Sequence, residues 1–150
     1  MAYDLYLVSA PQGADVEETG EALLGRLGAG LRREPGEAEL ARIRAVEETL
    51  ILGTTPLHAE AGPVPGSRTL TASDGTTVLV DGEFVRFRVP FEHLGEEAEA
   101  LFRRLFDRLG RVVEVTGWRI YDPQDARPVS VTDDDRERIL EIYLSVMDQL

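Results

Sequence analysis

The sequence predicts an α+β fold, a ferredoxin-like βαββαβ sandwich with an extra strand and two additional helices, one inserted and one C-terminal. Three observations predict this fold. Two Asp-Gly dipeptides, at 74–75 and 81–82, each lie between runs of β-favouring residues, as in β-hairpins. Segments with the apolar periodicity of helices flank this region on both sides. Short β-compatible runs occur at 3–9 and 118–122.

The first part of the chain predicts a strand followed by two helices. After the strand at 3–9, Asp15 caps a helix, and Glu18 three residues later completes a capping-box pattern. A second helix begins near Pro35, because proline suits the first helical turn. Residues 53–66 hold several prolines and glycines, and we expect them to form a connecting loop.

The two Asp-Gly dipeptides predict a meander of three strands. These strands cover 68–73, 76–80 and 83–90, and the dipeptides between them favour type I′ turns. A meander places consecutive strands side by side, so these three strands are expected to be neighbours in one sheet.

The last part of the chain predicts a helix, a strand and a final helix. Apolar residues recur at helical spacing over 95–115, and Gly117 is a typical residue for the end of that helix. The strand at 118–122 ends at Pro123, which lacks an amide hydrogen. Thr132 is expected to cap the final helix.

The composition favours one soluble domain spanning 1–150. There is no cysteine, so disulfides and thiolate sites are excluded. No apolar run approaches the roughly 20 residues of a membrane helix, and the N-terminus resembles that of a cytoplasmic protein. The net charge of −12 argues against nucleic-acid binding, which depends on cationic side chains. It is compatible with a basic protein partner.

A ferredoxin-like fold packs its two helices on one face of the sheet and leaves the other face open. We expect the C-terminal helix to cover part of this open face. A homodimer formed through the sheet is the competing arrangement.

Four side chains are predicted to share that open face. Strand alternation places Arg86 and Arg88 on one side of their strand, and Arg119 and Tyr121 on the corresponding side of the closing strand. The three guanidinium groups indicate either an anion-binding face or salt bridges to acidic residues of a covering helix. We favour the salt bridges, and the C-terminal helix offers Asp135, Glu137 and Glu141 for them.

No catalytic signature occurs in the sequence, and no cofactor is expected. The two histidines, His58 and His93, lie outside any zinc-binding spacing, and no serine lies in a nucleophile-elbow pattern. A metal site is not predicted, because acidic residues in the first turn of the last helix are explained by the helix dipole. His93, Asp122 and Gln124 remain candidates for the edge of a pocket, although Asp122 before a proline is typical of a structural turn.

Two stretches carry a resemblance to a group of small bacterial proteins. The chain begins with a Tyr-Asp-Leu strand at 3–5 and closes on Tyr-Asp-Pro-Gln at 121–124, preceded by Thr-Gly-Trp-Arg-Ile at 116–120. The second hairpin, with Asp-Gly at 81–82 and Val-Pro at 89–90, belongs to the same pattern. This resemblance implies no activity.

Two functions are therefore carried forward. The first is a non-enzymatic protein-interaction module, of the accessory or immunity-protein kind, that binds a basic partner. The second is a small enzyme or anion-binding protein that uses the arginines of the sheet face. A concave pocket where these arginines converge with His93 or Asp122 would favour the second.

Overall fold

A computed structural model describes residues 1–10, 14–30, 34–53 and 56–150. These residues form seven strands and four helices, so the predicted α+β class is confirmed. In chain order the elements are β1 (Ala2–Val8), α1 (Val16–Gly28), α2 (Glu37–Ile51), β2 (Leu57–Ala61), β3 (Arg68–Ala72), β4 (Thr77–Val80), β5 (Phe84–Pro90), α3 (Gly95–Thr116), β6 (Arg119–Asp122), β7 (Arg127–Val129) and α4 (Asp133–Met147).

The strands make one open antiparallel sheet in the order β2-β3-β4-β5-β1-β6-β7. The first strand of the chain lies between β5 and β6, so that Leu7 is opposite Val85 on one side and Ile120 on the other. This order differs from the simple ferredoxin-like order, and that topology is therefore not confirmed. The difference arises because β2 and β3 extend the sheet beyond β4, while β7 extends it beyond β6.

Three helices pack on one face of the sheet, which we call the three-helix face. Alternate residues of the central strands, such as Leu5 and Phe87, point to this face and are buried. They form one apolar cluster with Ile43 of α2, Phe102 of α3 and Tyr143 of α4. The C-terminal helix therefore belongs to this core, and the prediction that it covers the arginine-bearing face is wrong.

The opposite face, which we call the one-helix face, is covered in part by α1. Val16 and Leu23 of this helix pack against Tyr6, Val8 and Tyr121 of the sheet in a second apolar cluster. The reason that α1 takes this place lies in its apolar stripe, which is complementary to the apolar residues of β1 and β6 on this face.

Two helices begin at the predicted residues, and each has a side-chain cap at its N-terminus. The carboxylate of Asp15 accepts hydrogen bonds from the amides of residues 17 and 18, at 2.9 and 3.4 Å. The hydroxyl of Thr132 accepts a hydrogen bond from the Asp135 amide at 3.3 Å. Gly117 follows α3 with a φ of 69°, the left-handed conformation that glycine adopts without strain. These predictions are confirmed, except that the described residues of α1 show no hydrogen bond from the Asp15 amide back to Glu18 that would complete the capping box.

Both predicted hairpins are present, but neither has a type I′ turn. That turn requires a positive φ at both central residues. Between β3 and β4 only Gly75 has one, at 90°, and the Gly75 amide donates to the carbonyl of Ala72 across a three-residue loop. Between β4 and β5, Gly82 is not among the glycines with positive φ. Both turns therefore reverse the chain in a different backbone conformation, and the strands on either side pair as predicted.

Two strands were not predicted. The segment 53–66, expected to be a loop, contains β2, and residues 54 and 55 of that segment lie outside the described part. The short strand β7 follows the predicted closing strand and pairs with it, with Val129 opposite Ile120. Both strands lie at the edges of the sheet.

Within the described ranges, no helix combines the length and apolar character needed to cross a membrane.

Candidate functional site

A cleft of about 980 Å³ opens at one end of the sheet, on the side of α1. It lies where β1 ends, at Val8 and Ser9, and where the turn between β4 and β5 brings Gly82 and Glu83 to the same end. The walls come from α1 and α2, and Trp118 lines the cleft from the start of the closing strand. Five parts of the chain thus meet around one concave surface: the end of β1, α1, α2, the β4–β5 turn and Trp118.

The wall provided by α1 is a polar stripe along one side of that helix. Asp15, Glu18, Ala22 and Arg26 all line the cleft and recur at helical spacing. The adjacent apolar stripe, with Val16 and Leu23, packs on the sheet, and Leu23 also lines the cleft. Of the polar residues, Glu18 is exposed, whereas the Asp15 carboxylate is occupied in capping the helix.

The other wall is ordered by Arg42 of α2. Its guanidinium carbon lies 4.9 Å from the centroid of the Trp118 ring, in a cation–π contact. Its Nη1 donates a hydrogen bond to the carbonyl oxygen of Gly82 at 3.1 Å. Trp118 itself is buried, with 6% of its surface exposed. Arg42 therefore joins the second helix, the closing strand and the β4–β5 turn.

Gly82 allows that turn to lie close against α2. A Cβ atom at this position would be 3.2 Å from Cβ of Pro35 and 2.6 Å from a carboxylate oxygen of Glu39. A larger residue would therefore displace the flexible Glu39 side chain and crowd Pro35 on this side of the cleft.

Carboxylates outnumber guanidinium groups on the described lining. Asp15, Glu18, Glu39 and Glu83 supply four acidic groups, against two from Arg26 and Arg42. Arg26 lies 3.5 Å from the carboxylate of Glu83. Arg42 contacts the Trp118 ring and the Gly82 carbonyl. The cleft therefore carries a net negative charge from its own lining.

The predicted sheet-face residues share a face but are held by different partners. Arg88 makes two hydrogen bonds to the Asp4 carboxylate, at 2.8 and 3.0 Å. These hydrogen bonds raise the pKa of Arg88, with burial acting in the opposite direction. The hydroxyl of Tyr121 donates to the Glu21 carboxylate. Burial, and then this hydrogen bond, raises the pKa of Tyr121.

The two remaining arginines lie apart from that pair. Arg86 is opposite Tyr6 in the β1–β5 ladder, and its Nε is buried without a hydrogen-bond partner. Arg119 is exposed, and it is opposite Val8 in the β1–β6 ladder. Apolar and aromatic side chains of β1 thus lie between the two arginines. None of the four predicted residues lines the cleft.

The salt-bridge interpretation holds for Arg88, but the carboxylate comes from a different element. Asp4 belongs to the neighbouring strand, whereas we expected acids of the C-terminal helix. Asp135 of that helix instead pairs with Arg138 at 2.8 Å and accepts from the Ser130 amide at 2.6 Å. This follows from the position of α4 on the opposite face of the sheet.

His93 is buried and held at both ring nitrogens. Nδ1 lies 2.8 Å from the Glu97 carboxylate, and Nε2 lies 2.8 Å from the carbonyl oxygen of Asp74. Burial lowers the pKa of His93, but these two hydrogen bonds outweigh it, so the pKa is raised. Two acceptors facing both nitrogens favour the doubly protonated ring. The contacts make His93 a link between α3 and the β3–β4 turn.

Asp122 and Gln124 connect the closing strand to β1. The fully buried Asp122 carboxylate accepts from the Tyr3 hydroxyl at 2.5 Å and from the Gln124 amides. Gln124 also bonds both backbone groups of Asp4, at 2.8 and 2.7 Å. These groups lock a turn, as the Asp-Pro sequence favours, and they do not line the cleft.

The sequence predicts Asp15 as a helix cap, which is confirmed, and it predicts no role in a site for the cleft residues. The available signal was the set of polar residues of α1 at 15, 18 and 26, which lies on a different side of the helix from its apolar stripe. What the sequence could not show is that α2 and the β4–β5 turn face that stripe.

Among the described residues, no group of three or more histidine or acidic side chains is arranged to hold a metal ion. Comparison of the chain with protein-family models, curated proteins and solved structures finds no match.

Proposed function

We propose that this protein is a non-enzymatic binding module, of the accessory or immunity-protein kind, that docks a basic segment of another protein at the cleft. The observation that carries the proposal is the cleft itself, about 980 Å³ in volume, with four carboxylates against two guanidinium groups on its described lining. This volume is at the upper end of the range for binding pockets, so the cleft has room for long side chains of a partner.

Electrostatics support a cationic occupant. The chain carries a net charge of −12, which attracts a basic protein over a distance and raises the rate of encounter. At the cleft, an arginine of the partner would reach Glu18, which is exposed on the wall. Hydrogen bonds between a guanidinium and a carboxylate are stronger than those between neutral groups.

The alternative function, an anion-binding protein or enzyme that uses the sheet-face arginines, has less support. Arg88 is already paired with Asp4, and Tyr121 with Glu21. His93, which we expected at the edge of a pocket, has both ring nitrogens engaged. An anion at this face would have to displace internal carboxylates first.

Trp118 provides a direct test, since it is the only tryptophan and lines the cleft. Titration with a short oligoarginine peptide at low salt should change the Trp118 emission in a saturable way. Glu18→Gln should weaken binding by about twofold to fivefold, because an exposed ion pair contributes up to about 1 kcal/mol.

Glu137→Gln is the matched control, because it removes the same charge from an exposed position of α4, on the other side of the sheet. It should leave the affinity nearly unchanged. Equal weakening by both variants would mean that the peptide responds to net charge alone, and an unchanged emission would remove the cleft as the site.

We also propose that a ferredoxin-like unit lies within the larger sheet. The inner strands β4-β5-β1-β6 and the helices α2 and α3 would form it. In support, β5 and β6 are joined by α3 and flank β1, and α2 packs in the same core as α3. Backbone NOEs from Leu7 to both Val85 and Ile120 test the central pairing; their absence would remove this unit.

A further inference from the structure

The strand β2 is the outermost strand at one edge of the sheet. Its inner side pairs with β3, with Ala59 opposite Leu70, and no described strand pairs with its outer side. A strand edge exposes a row of backbone donors and acceptors that can pair with another strand. The opposite edge is formed by β7, which has only three residues and contains Pro128.

The hydrogen-bond phase of β2 shows which backbone groups point outward. The Gly62 amide donates to the Ser67 carbonyl at 2.8 Å, at the end of the β2–β3 ladder. In an antiparallel ladder, hydrogen-bonded pairs alternate with non-hydrogen-bonded pairs. Residues 58 and 60 therefore bond inward to β3, and residues 57, 59 and 61 direct their amide and carbonyl groups outward.

We propose that two copies of this chain form a dimer by antiparallel pairing of β2 with β2 of the partner subunit, about a two-fold axis at Ala59. Three residues on each copy, 57, 59 and 61, then exchange backbone hydrogen bonds, and every outward backbone group of the strand is paired. The result is one continuous sheet across both copies. This proposal is independent of the binding function of the cleft.

The side chains of β2 match this pairing. With the axis at Ala59, His58 lies opposite Glu60 of the partner subunit, and the same pair occurs a second time by symmetry. Both are non-hydrogen-bonded pairs, in which opposing side chains are closest. Oppositely charged residues stabilise such positions, and like charges destabilise them. An axis at residue 58 or 60 would instead place two histidines or two glutamates opposite each other.

Apolar side chains occur on β2 itself and at the end of α2, the helix that precedes it in the chain. Leu57 and Ala59 point to the three-helix face and are only partly buried against the core. The end of α2, which packs on the same face, exposes 46% of Ile51 and 82% of Leu52. Exposed apolar side chains are typical of an interaction surface. In the proposed dimer, the apolar side chains of β2 from the two copies would lie side by side.

Two features limit the assembly to a weak, closed dimer. Pro56, Pro63 and Pro65 flank the strand, so the pairing cannot extend beyond five residues. The contact is smaller than a standard interface, and each copy carries a charge of −12, so we expect a dissociation constant on the order of 10–100 µM. Because added salt screens this repulsion, moderate salt should favour the dimer.

Sedimentation velocity of the purified chain over a range of concentrations tests the proposal. Ala59→Pro removes an amide that points outward and leaves the bonds to β3 intact, so it should abolish the dimer without unfolding the protein. Ala59→Ser keeps that amide and is the matched control, and it should dimerise like the original chain. Thermal unfolding of all variants confirms that they are folded.

A charge exchange tests the register. At pH 6, His58→Glu and Glu60→Lys should each weaken the dimer about threefold or more, and the double variant should restore it. Glu60→Lys lowers the net negative charge, so weakening by this variant separates the local pair from overall repulsion. A monomer at all concentrations, a dimer unaffected by Ala59→Pro, or a double variant weaker than both single variants would overturn the proposal.

Discussion

Replacement of Gly20 by alanine tests the packing of α1 on the sheet. Gly20 is buried in the middle of this helix, directly over the ring of Tyr121. A Cβ atom at position 20 would lie 2.4 Å from Cδ2 and 2.5 Å from Cγ of that ring. The ring cannot move easily, because it is fully buried and its hydroxyl is bonded to Glu21. The helix must therefore lift away from the sheet.

Two opposing effects determine the magnitude. Alanine is favoured over glycine in a helix by about 1 kcal/mol. Overpacking of a buried site costs about 1–3 kcal/mol. The free energy of unfolding of Gly20→Ala should therefore fall by roughly 0–2 kcal/mol.

Gly25→Ala is the matched control on the same helix. Position 25 is exposed, and a Cβ atom there meets nothing within 4 Å. The substitution Gly25→Ala gains helix propensity and makes no clash with Tyr121. This variant should therefore be about 1–3 kcal/mol more stable than Gly20→Ala. Urea unfolding followed by circular dichroism measures this difference in the free energy of unfolding. In thermal unfolding, the same difference corresponds to a gap in Tm of roughly 2–4 °C per kcal/mol. Equal stability of the two variants would refute the close contact of α1 with Tyr121.

Further variants test the buried polar groups. Tyr143→Phe should lower the free energy of unfolding in urea by about 1–3 kcal/mol, because the buried hydroxyl accepts from the amides of residues 92 and 93 and donates to a carbonyl. Tyr3→Phe should destabilise the protein by a similar amount, about 1–3 kcal/mol, since Asp122 loses a buried donor; a neutral effect would contradict the contact. Burial lowers the pKa of His93, but its hydrogen bonds raise it overall. The stabilising effect of His93 should therefore be complete below the unfolded pKa, about 6.5, and be lost as pH rises through the higher folded pKa. The stability difference between the original chain and His93→Gln should shrink over that range, and a difference that grows would be inconsistent with a protonated ring.

Local signals predicted the helices and the hairpins well. Asp15 and Thr132 cap their helices, and Gly117 ends α3, because each of these effects depends on atoms within a few residues. The apolar periodicity likewise identified which side of each helix is buried. These signals act before any tertiary contact forms, so they can be interpreted from the sequence.

The two missed strands have weak local signals. The sequence Leu-His-Ala-Glu-Ala of β2 contains alanine and glutamate, which are depleted in strands. It becomes a strand because β3 offers a complete ladder of partners from residue 68 to residue 72. The three residues of β7 are similarly ordered by pairing with β6. In both cases the neighbour decides the conformation.

In the candidate site, too, the sequence predicted local features but not the contacts between distant parts of the chain. Strand alternation correctly placed Arg88 and Tyr121 on one face of the sheet. Their partners, Asp4 and Glu21, are 84 and 100 residues away in sequence, and no local pattern indicates them. The helix that covers this face proved to be α1, because its apolar stripe matches residues of β1 and β6.

The sequence by itself determined the α+β class, the bounds of most elements, the excess of acidic groups and the buried side of each helix. These follow from composition, capping and periodicity, which depend on neighbouring residues alone. Only the tertiary structure decided the strand order, the division of the helices between the two faces, and the meeting of α1, α2 and the β4–β5 turn around the cleft. Those features depend on contacts between surfaces that are far apart in the chain, and several pairings satisfy the same local pattern until packing selects one.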